Sequence, residues 1–549
     1  MLRVSNLKLG IDENISLLKN LILKKLKIKE NELVKYFVYK ESIDARKRGR
    51  IDFVYTVDVE VKNEKKILKS GIKDVVEIKQ RNYIDIEMGT EKLKHRPVII
   101  GSGPAGLFAA LVLAQRGFNP IMLERGLDVD NRTNDIDDFW NNRKFKNNSN
   151  VQFGEGGAGT FSDGKLFTRS NKRGNIAKIL AVLNYHGATD AILTDAHPHI
   201  GTDKLPGIIN RICDTIRNCG GEVKFSTKLV DILVEKSCGK PKISGIVVEN
   251  LETSEITTIK ADSVILATGH SAADIYEILY QIEPNALEAK TFAMGVRVEH
   301  PRELIDNIQY HGREKSMDLP PAEYRLTTQV AERGVYSFCM CPGGLVVPSA
   351  SNKKGIVVNG MSPSSRKGKF SNAAIVVETT PEDCKSIIEN ESVLAGLFLR
   401  TEIEERAMDL VKENCGGCNV NPQAAPAQRL VDFLAGRKSE TLPETTYTPG
   451  IVSVDLNELF PAHISERLKQ GFTDFNKQMQ GFICENALLI APETRTSTPV
   501  RIVRNKETFE SDFLENLFPC GEGSGYSGGI VSSAMDGENT AKKVAEKLL

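Results

Sequence analysis

A chain of 549 residues is long enough for two or three domains that each bury a core, which excludes a single small module. Its 40% hydrophobic and 26% charged residues are ordinary for a globular protein, and 72 basic side chains cancel 72 acidic ones. Whole-chain charge therefore names no partner.

The balance is uneven along the chain. Residues 1–95 hold 22 Lys plus Arg against 15 Asp plus Glu, so this segment is +7 and the rest −7, the mark of a separate module. Leu2 to Lys8 alternates as a strand, and Ile15 to Leu26 has helical apolar spacing. Val34 to Glu41 and Ile51 to Val61 read as strands flanking a basic turn. The expectation is a small α/β module over 1–95, with Asn63 to Arg96 as its remainder and linker. Its basic clusters (Lys24, Lys25, Lys27 and Lys29; Arg46, Lys47, Arg48 and Arg50) suit RNA in the minority reading, because such runs are more often solvated faces. The amino terminus lacks a signal-peptide core and no apolar run reaches spanning length, so a cytosolic protein without membrane contact is expected. Ten cysteines without a framework of spacings are expected to be reduced thiols.

Residues 98 to 106, Val-Ile-Ile-Gly-Ser-Gly-Pro-Ala-Gly, join a buried strand to a glycine-rich turn that can hold a pyrophosphate. Gly101 permits the turn, Gly103 leaves room for phosphate, and Gly106 lets the helix from Pro104 through Gln115 pack on its strand. That helix aims its free amides at the anion, beginning with Pro104 and Ala105. A second strand, Phe118 to Leu123, ends in Glu124 and Arg125. Glu124 lies eighteen residues after Gly106, where an acid can hydrogen-bond ribose hydroxyls and repel a 2′-phosphate.

From about 126 to 180 the chain is polar and glycine-rich. Helices are expected at Ala177 to Leu183 and Leu205 to Cys219, and strands at Val223 to Phe225, Val230 to Val234 and Ile243 to Glu249. Val264-Ile-Leu-Ala-Thr-Gly269 is a further buried strand that ends in a loop glycine. Residues 285–485 carry no nucleotide signal. Their strands (Gly295 to Val298, Gly355 to Val358, Ala374 to Glu378) and helices (Val393 to Glu413, Ile464 to Met479) suggest a cap or substrate domain.

A last glycine-rich turn, Pro519-Cys-Gly-Glu-Gly-Ser-Gly-Tyr-Ser-Gly-Gly-Ile530, precedes a helix from Ser532 to Leu549. It resembles the carboxy-terminal flavin motif of FAD oxidoreductases. In that group an acid after glycine binds a ribityl hydroxyl and the next helix points at the isoalloxazine, which implies roles for Gly521, Glu522, Gly529 and Ile530. The order of Gly101 to Gly106 with Glu124, then Gly269, then Gly521 and Glu522 resembles the glutathione-reductase and fumarate-reductase group, and so implies FAD. The region from about residue 96 onward is also similar to the bacterial family of NAD(FAD)-utilising dehydrogenases, through Phe153-Gly-Glu-Gly-Gly-Ala-Gly-Thr-Phe-Ser-Asp-Gly-Lys165, His197-Pro-His-Ile-Gly-Thr-Asp203, Phe292-Ala-Met-Gly-Val-Arg-Val-Glu299, Ser337-Phe-Cys-Met-Cys-Pro-Gly-Gly344 and Glu493-Thr-Arg-Thr-Ser497.

The loop containing Gly157 and Lys165 offers closely spaced amides that could clamp the flavin or its phosphates. His197 and His199, two apart, would share one face of a strand; structural hydrogen bonding is favoured over acid/base work at His199, and no third ligand suggests a metal. Cys339 and Cys341 could relay electrons to a flavin, yet alternating strand positions disfavour an easy disulfide and inert buried thiols are expected. Cys415-Gly-Gly-Cys418 has dithiol spacing but is expected to be neither redox-active nor zinc-binding. Arg495 suits either an anionic substrate group or a structural ion pair.

The expected architecture is a Rossmann-like α/β FAD-binding domain (96–284 and 486–549) with an inserted α+β cap (285–485) and the module 1–95. The expected activity is transfer of a hydride between a small substrate and FAD. No later Gly-x-Gly-x-x-Gly turn of the kind that holds NADPH in a disulfide reductase is read, so NAD(P)H as electron donor would have to bind without that fold. An RNA-modifying flavoprotein and a non-catalytic FAD scaffold are the alternatives.

Overall fold

The computed structural model describes every residue except 48, 79–93, 169–172, 236–238, 313–318, 418 and 549. Arg48 of the basic turn and Cys418 of the Cys-Gly-Gly-Cys segment therefore lie outside the described residues.

At the centre of the α/β unit is a five-stranded parallel sheet, ordered Leu517–Pro519, Val264–Leu266, Val98–Ile100, Ile121–Leu123 and Glu222–Lys224. Its three inner strands are short and almost wholly apolar because both faces are covered, as parallel sheets require. The helix Pro104–Gln115 lies against this sheet and the final helix Ile530–Leu548 packs across it. A three-stranded antiparallel sheet, Ile256–Lys260, Lys242–Asn250 and Thr227–Glu235, flanks the unit. Its outer strand, Ile256–Lys260, is mostly exposed and has no apolar alternation to announce it in the sequence.

The cap is built on a seven-stranded sheet, ordered Thr327–Val330, Arg333–Cys341, Phe370–Thr379, Phe292–Pro301, Leu488–Glu493, Ala425–Arg429 and Ile451–Ser453. The helices Ala395–Asn414 and Ala462–Gln478 bury their apolar faces in its core. The expected boundary at residue 485 moves. Leu488–Glu493 pairs with Phe292–Pro301 inside the cap sheet, and Val500–Ile502 pairs with Leu287–Ala289. The chain rejoins the parallel sheet only at Leu517–Pro519. A fully buried apolar run such as Leu488–Ala491 fits either sheet, and only its pairing partners decide.

The amino-terminal sheet runs Leu33–Lys47, Arg50–Val61, Leu2–Gly10, Val75–Glu77. Helix Leu18–Leu26 covers it with Leu18, Ile22 and Leu26, one helical face at i, i+4 and i+8. The segment expected to be remainder and linker contributes a helix, Glu64–Lys69, and the edge strand Val75–Glu77. The module docks on the rest of the molecule: Glu41 and Ala196 donate their amides to the carbonyls of Thr194 and Glu41, both at 2.8 Å, and Ile11 and Ile51 join the cap core. Several of its basic groups are paired within the module, Arg46 with Asp44, Arg50 with Asp52 and Lys25 with Asp74. Among the described residues no helix is long and apolar enough to cross a membrane.

Candidate flavin and substrate site

The glycine-rich turn owes its shape to backbone contact. Gly101 has φ +99°, and a Cβ on Gly106 would stand 1.9 Å from the Gly101 carbonyl oxygen, so the helix can lie this close to its strand only without one. No side chain caps the helix Pro104–Gln115, whose amino end opens through Gly103, Pro104 and Ala105 on a cavity of about 810 Å³. Gly528, Gly529 and Ile530, at the start of the last helix, open on the same cavity. Two helix amino ends thus face one space and offer it positive potential.

Glu124 lies on the cavity wall but is buried and fully engaged. One carboxylate oxygen accepts the Ser102 amide (3.0 Å) and hydroxyl (2.8 Å), and the other accepts the amides of Gly126 (2.9 Å) and Gly154 (3.0 Å). The side chain expected to reach ribose hydroxyls is therefore the tie that holds three loops around the turn. Arg125 pairs with Asp274 at 3.0 Å and lies over the Phe153 ring. Arg132, fully buried, donates to the carbonyls of Asn150, Val151 and Glu155 and so fixes the loop that brings Gly157 up to Gly103.

At the far end, Gly269, Gly521 and Glu522 line the cavity beside His270, whose Nδ1 is 3.6 Å from Glu522 Oε1. Burial, with the charges of Arg400 and Arg495, takes His270 down to about 3 and keeps it neutral. Burial pushes the Glu522 carboxyl up to about 7, against the pull of the Lys290 charge. A carboxyl raised in the folded state holds a proton that the unfolded chain has released, so stability falls as pH climbs from about 4.5 to about 7. In cofactor-free protein, Glu522→Gln is expected to remove that loss. The stability gap between variant and parent, read by urea unfolding, should open in the variant's favour with rising pH to about 3 kcal/mol. A gap that does not change with pH refutes the assignment.

The cavity is also lined by cap residues and by the loop that carries Asp163 and Lys165. Lys165 is 3.6 Å from Asp163, and Arg366 joins Asp163 (2.5 Å) to Glu323 (2.7 Å). Burial works against the Glu323 charge, but the His197 hydrogen bond and the charges of Lys165 and Arg366 hold its carboxyl down at about 2. Asp163 Oδ1 and the Tyr324 hydroxyl are buried and have no hydrogen-bond partner among the described residues, although both residues line the cavity.

Of the catalytic candidates, Cys339 and Arg495 line the cavity, while Cys341 and His199 do not. His197 lines it instead, with its ring edge-on to Phe167. The two histidines fail to share a strand face because Pro198 sits between them and the segment forms only an isolated bridge, His199 to Lys165. His199 Nε2 faces the Ser364 carbonyl at 3.3 Å, and burial with the Arg366 charge lowers its pKa. Arg495 grips Glu404 with two hydrogen bonds, 3.0 and 2.7 Å, which is the structural ion pair of the two readings. Tyr324, Glu323 and His270 were not singled out from the sequence. Tyr324 and Glu323 stand in an irregular segment without periodicity, and His270 follows the Ala267-Thr-Gly269 turn as its only chemical signal.

The residues fit FAD. The cavity has the volume of a cofactor site, a Cβ on Gly103 would meet nothing nearer than 3.9 Å on the side open to it, and two helix amino ends supply anion-binding amides. Comparison with known proteins agrees. A model described as FAD binding domain matches residues 160–296, and one described as FAD-dependent protein, C-terminal domain-like, matches 291–496. This chain belongs to a family of FAD-dependent proteins. The flavoprotein is 42% identical over 551 residues to an uncharacterized protein of Clostridium beijerinckii, covering 100% of this chain and 99% of that one. Residues 1–60 of the flavoprotein match a domain of unknown function. Among solved structures, a flavin-dependent brominase, Bmp2, aligns at TM-score 0.34 and 12% identity over 83% of this chain and 79% of its own. The open conformation of a flavocytochrome c3 fumarate reductase aligns at 0.31 and 13% over 83% and 78%.

Proposed function

We infer that the protein transfers a hydride between bound FAD and a small polar organic molecule held against the cap wall. The observation that carries this is one continuous cavity with two unlike walls: glycine loops and helix amino ends on one side, and Lys165, Asp163, Glu323 and Tyr324 on the other. When bound, FAD supplies the two-electron chemistry that no amino-acid side chain has.

The chain's own residues position and polarise. Lys165, part-exposed on the cavity, can donate to a substrate hydroxyl, carbonyl or carboxylate. Against the cost of burial, the charges of Asp163, Cys339 and Glu323 raise the Lys165 pKa, so it keeps its charge and can steady negative charge on the substrate. Glu522, titrating near neutrality, can hold or release a proton at its carboxyl.

Anaerobic mixing of the FAD-loaded protein with a panel of small alcohols, amines, hydroxy acids and the two reduced nicotinamides tests the reading. The expected result is bleaching of the visible flavin band by a subset of the panel, and a Lys165→Met variant that bleaches about 10- to 100-fold more slowly. A flavin that no member reduces, and that no oxidised member reoxidises after chemical reduction, overturns it.

A further inference from the structure

Cys339 and Cys341 are two residues apart near the end of the strand Arg333–Cys341, and in a regular strand their Cα atoms would be about 6.7 Å apart. The strand is not regular there. Phe338 pairs with Ala374 but Cys341 pairs with Asn372, so the intervening cysteine is squeezed into a bulge, and Cys339 takes φ +45°, a left-handed backbone that a non-glycine residue seldom adopts. The bulge folds the Cys341 side chain back on its neighbour, its thiol donating to the Cys339 carbonyl at 3.3 Å.

Their surroundings differ in the way a redox pair requires. Cys339 lines the flavin cavity, whereas Cys341 is fully buried behind it. The neighbouring Cys341 thiol favours the Cys339 thiolate, and against the cost of burial the Lys165 and Arg297 cations favour it further. The adjacent Cys339 and burial keep Cys341 a thiol. Cys339 is also close enough to Glu522, across the cavity, for its charge to raise that carboxyl. An accessible thiolate beside a buried resolving thiol is the arrangement of reactive cysteine pairs.

We propose that Cys339 and Cys341 are a redox-active dithiol that exchanges two electrons with the FAD bound in the same cavity. In the oxidising direction a bond forms between the two sulfurs as the thiolate and thiol together lose two electrons and one proton, and oxidised flavin takes up all three. The reverse step breaks the sulfur–sulfur bond and restores thiolate and thiol. The exchange requires FAD but no organic substrate, so it stands or falls separately from the hydride transfer proposed above.

The test uses the full-length protein with its FAD, oxidised by diamide, desalted and kept anaerobic. Trypsin releases residues 334–353 as one peptide, which should be two hydrogens lighter than its sequence mass and refractory to iodoacetamide. Titration with dithionite should consume about four electrons per flavin before bleaching is complete, and about two in flavin-retaining Cys339→Ser and Cys341→Ser variants. The proposal is overturned if the peptide takes up two alkyl groups after diamide. It is equally overturned if the peptide is oxidised but the parent still consumes only two electrons, because the pair is then not in exchange with the flavin. Flavin that dithionite reduces but no small molecule reduces would count against the hydride-transfer reading alone.

Discussion

Gly106→Ala is expected to cost the protein its FAD. The added Cβ would lie 1.9 Å from the Gly101 carbonyl oxygen and 3.0 Å from its carbon, both backbone atoms of the turn that must meet the cofactor. Neither can rotate away, so the helix Pro104–Gln115 has to lift from the strand Val98–Ile100 and carry its amino end with it. Overpacking of this kind costs about 1–3 kcal/mol, and because it falls on the binding loop the same energy appears as roughly 10- to 100-fold weaker FAD binding. Titration of apoprotein with FAD measures it. Gly207→Ala is the control: it sits inside the helix Leu205–Asn218, its Cβ would approach nothing closer than 3.6 Å, and it should leave FAD affinity unchanged. Equal affinity in the Gly106 variant would mean that the turn is not the cofactor cradle.

Arg297→Met is expected to give the largest loss of stability in the cap. The guanidinium is wholly buried. It donates to Glu493 (2.8 Å), Asn372 (2.7 Å), Asn359 (3.2 Å) and the Cys339 carbonyl (3.2 Å), and so ties four segments together behind the cavity wall. Removing it leaves Glu493, which is itself buried, without its counter-charge, at a cost of about 3–5 kcal/mol. The loss should appear as a lower urea midpoint by cap-sensitive fluorescence. Adding Glu493→Leu to the Arg297 variant should recover part of it, because the larger share of the penalty is the stranded carboxylate rather than the lost attraction. A double variant less stable than the single one would refute that account.

The legible part of the site was the part written in local backbone geometry. Val98 to Gly106 and Pro519 to Ile530 declare themselves because a strand, a turn without side chains and a helix must follow in order to leave amides bare. Residues with no such constraint were invisible. Tyr324 acts through a position in space that an irregular segment supplies, and Glu323 matters only because Arg366, forty-three residues on, returns beside it. Glu124 was found by its spacing, but its partners were not: the donors on Ser102, Gly126 and Gly154 meet at its carboxylate only after the loops fold over one another. The two cysteines illustrate the same limit. Alternation on an ideal strand is the geometry their spacing implies, and a bulge, which depends on the register of the neighbouring strand, interrupts it between Phe338 and Cys341.

By itself the sequence determined the dinucleotide-binding turn, the order of the elements and which glycines can bear no side chain, since these depend on short-range sterics and on periodicity that a chain carries in its own order. Tertiary structure alone decided where the cap ends, which histidine faces the cavity and what stands opposite the flavin loops. Those outcomes rest on which buried strands pair and on charges brought together from distant parts of the chain, and the free energy of such contacts does not exist until the contacts are made.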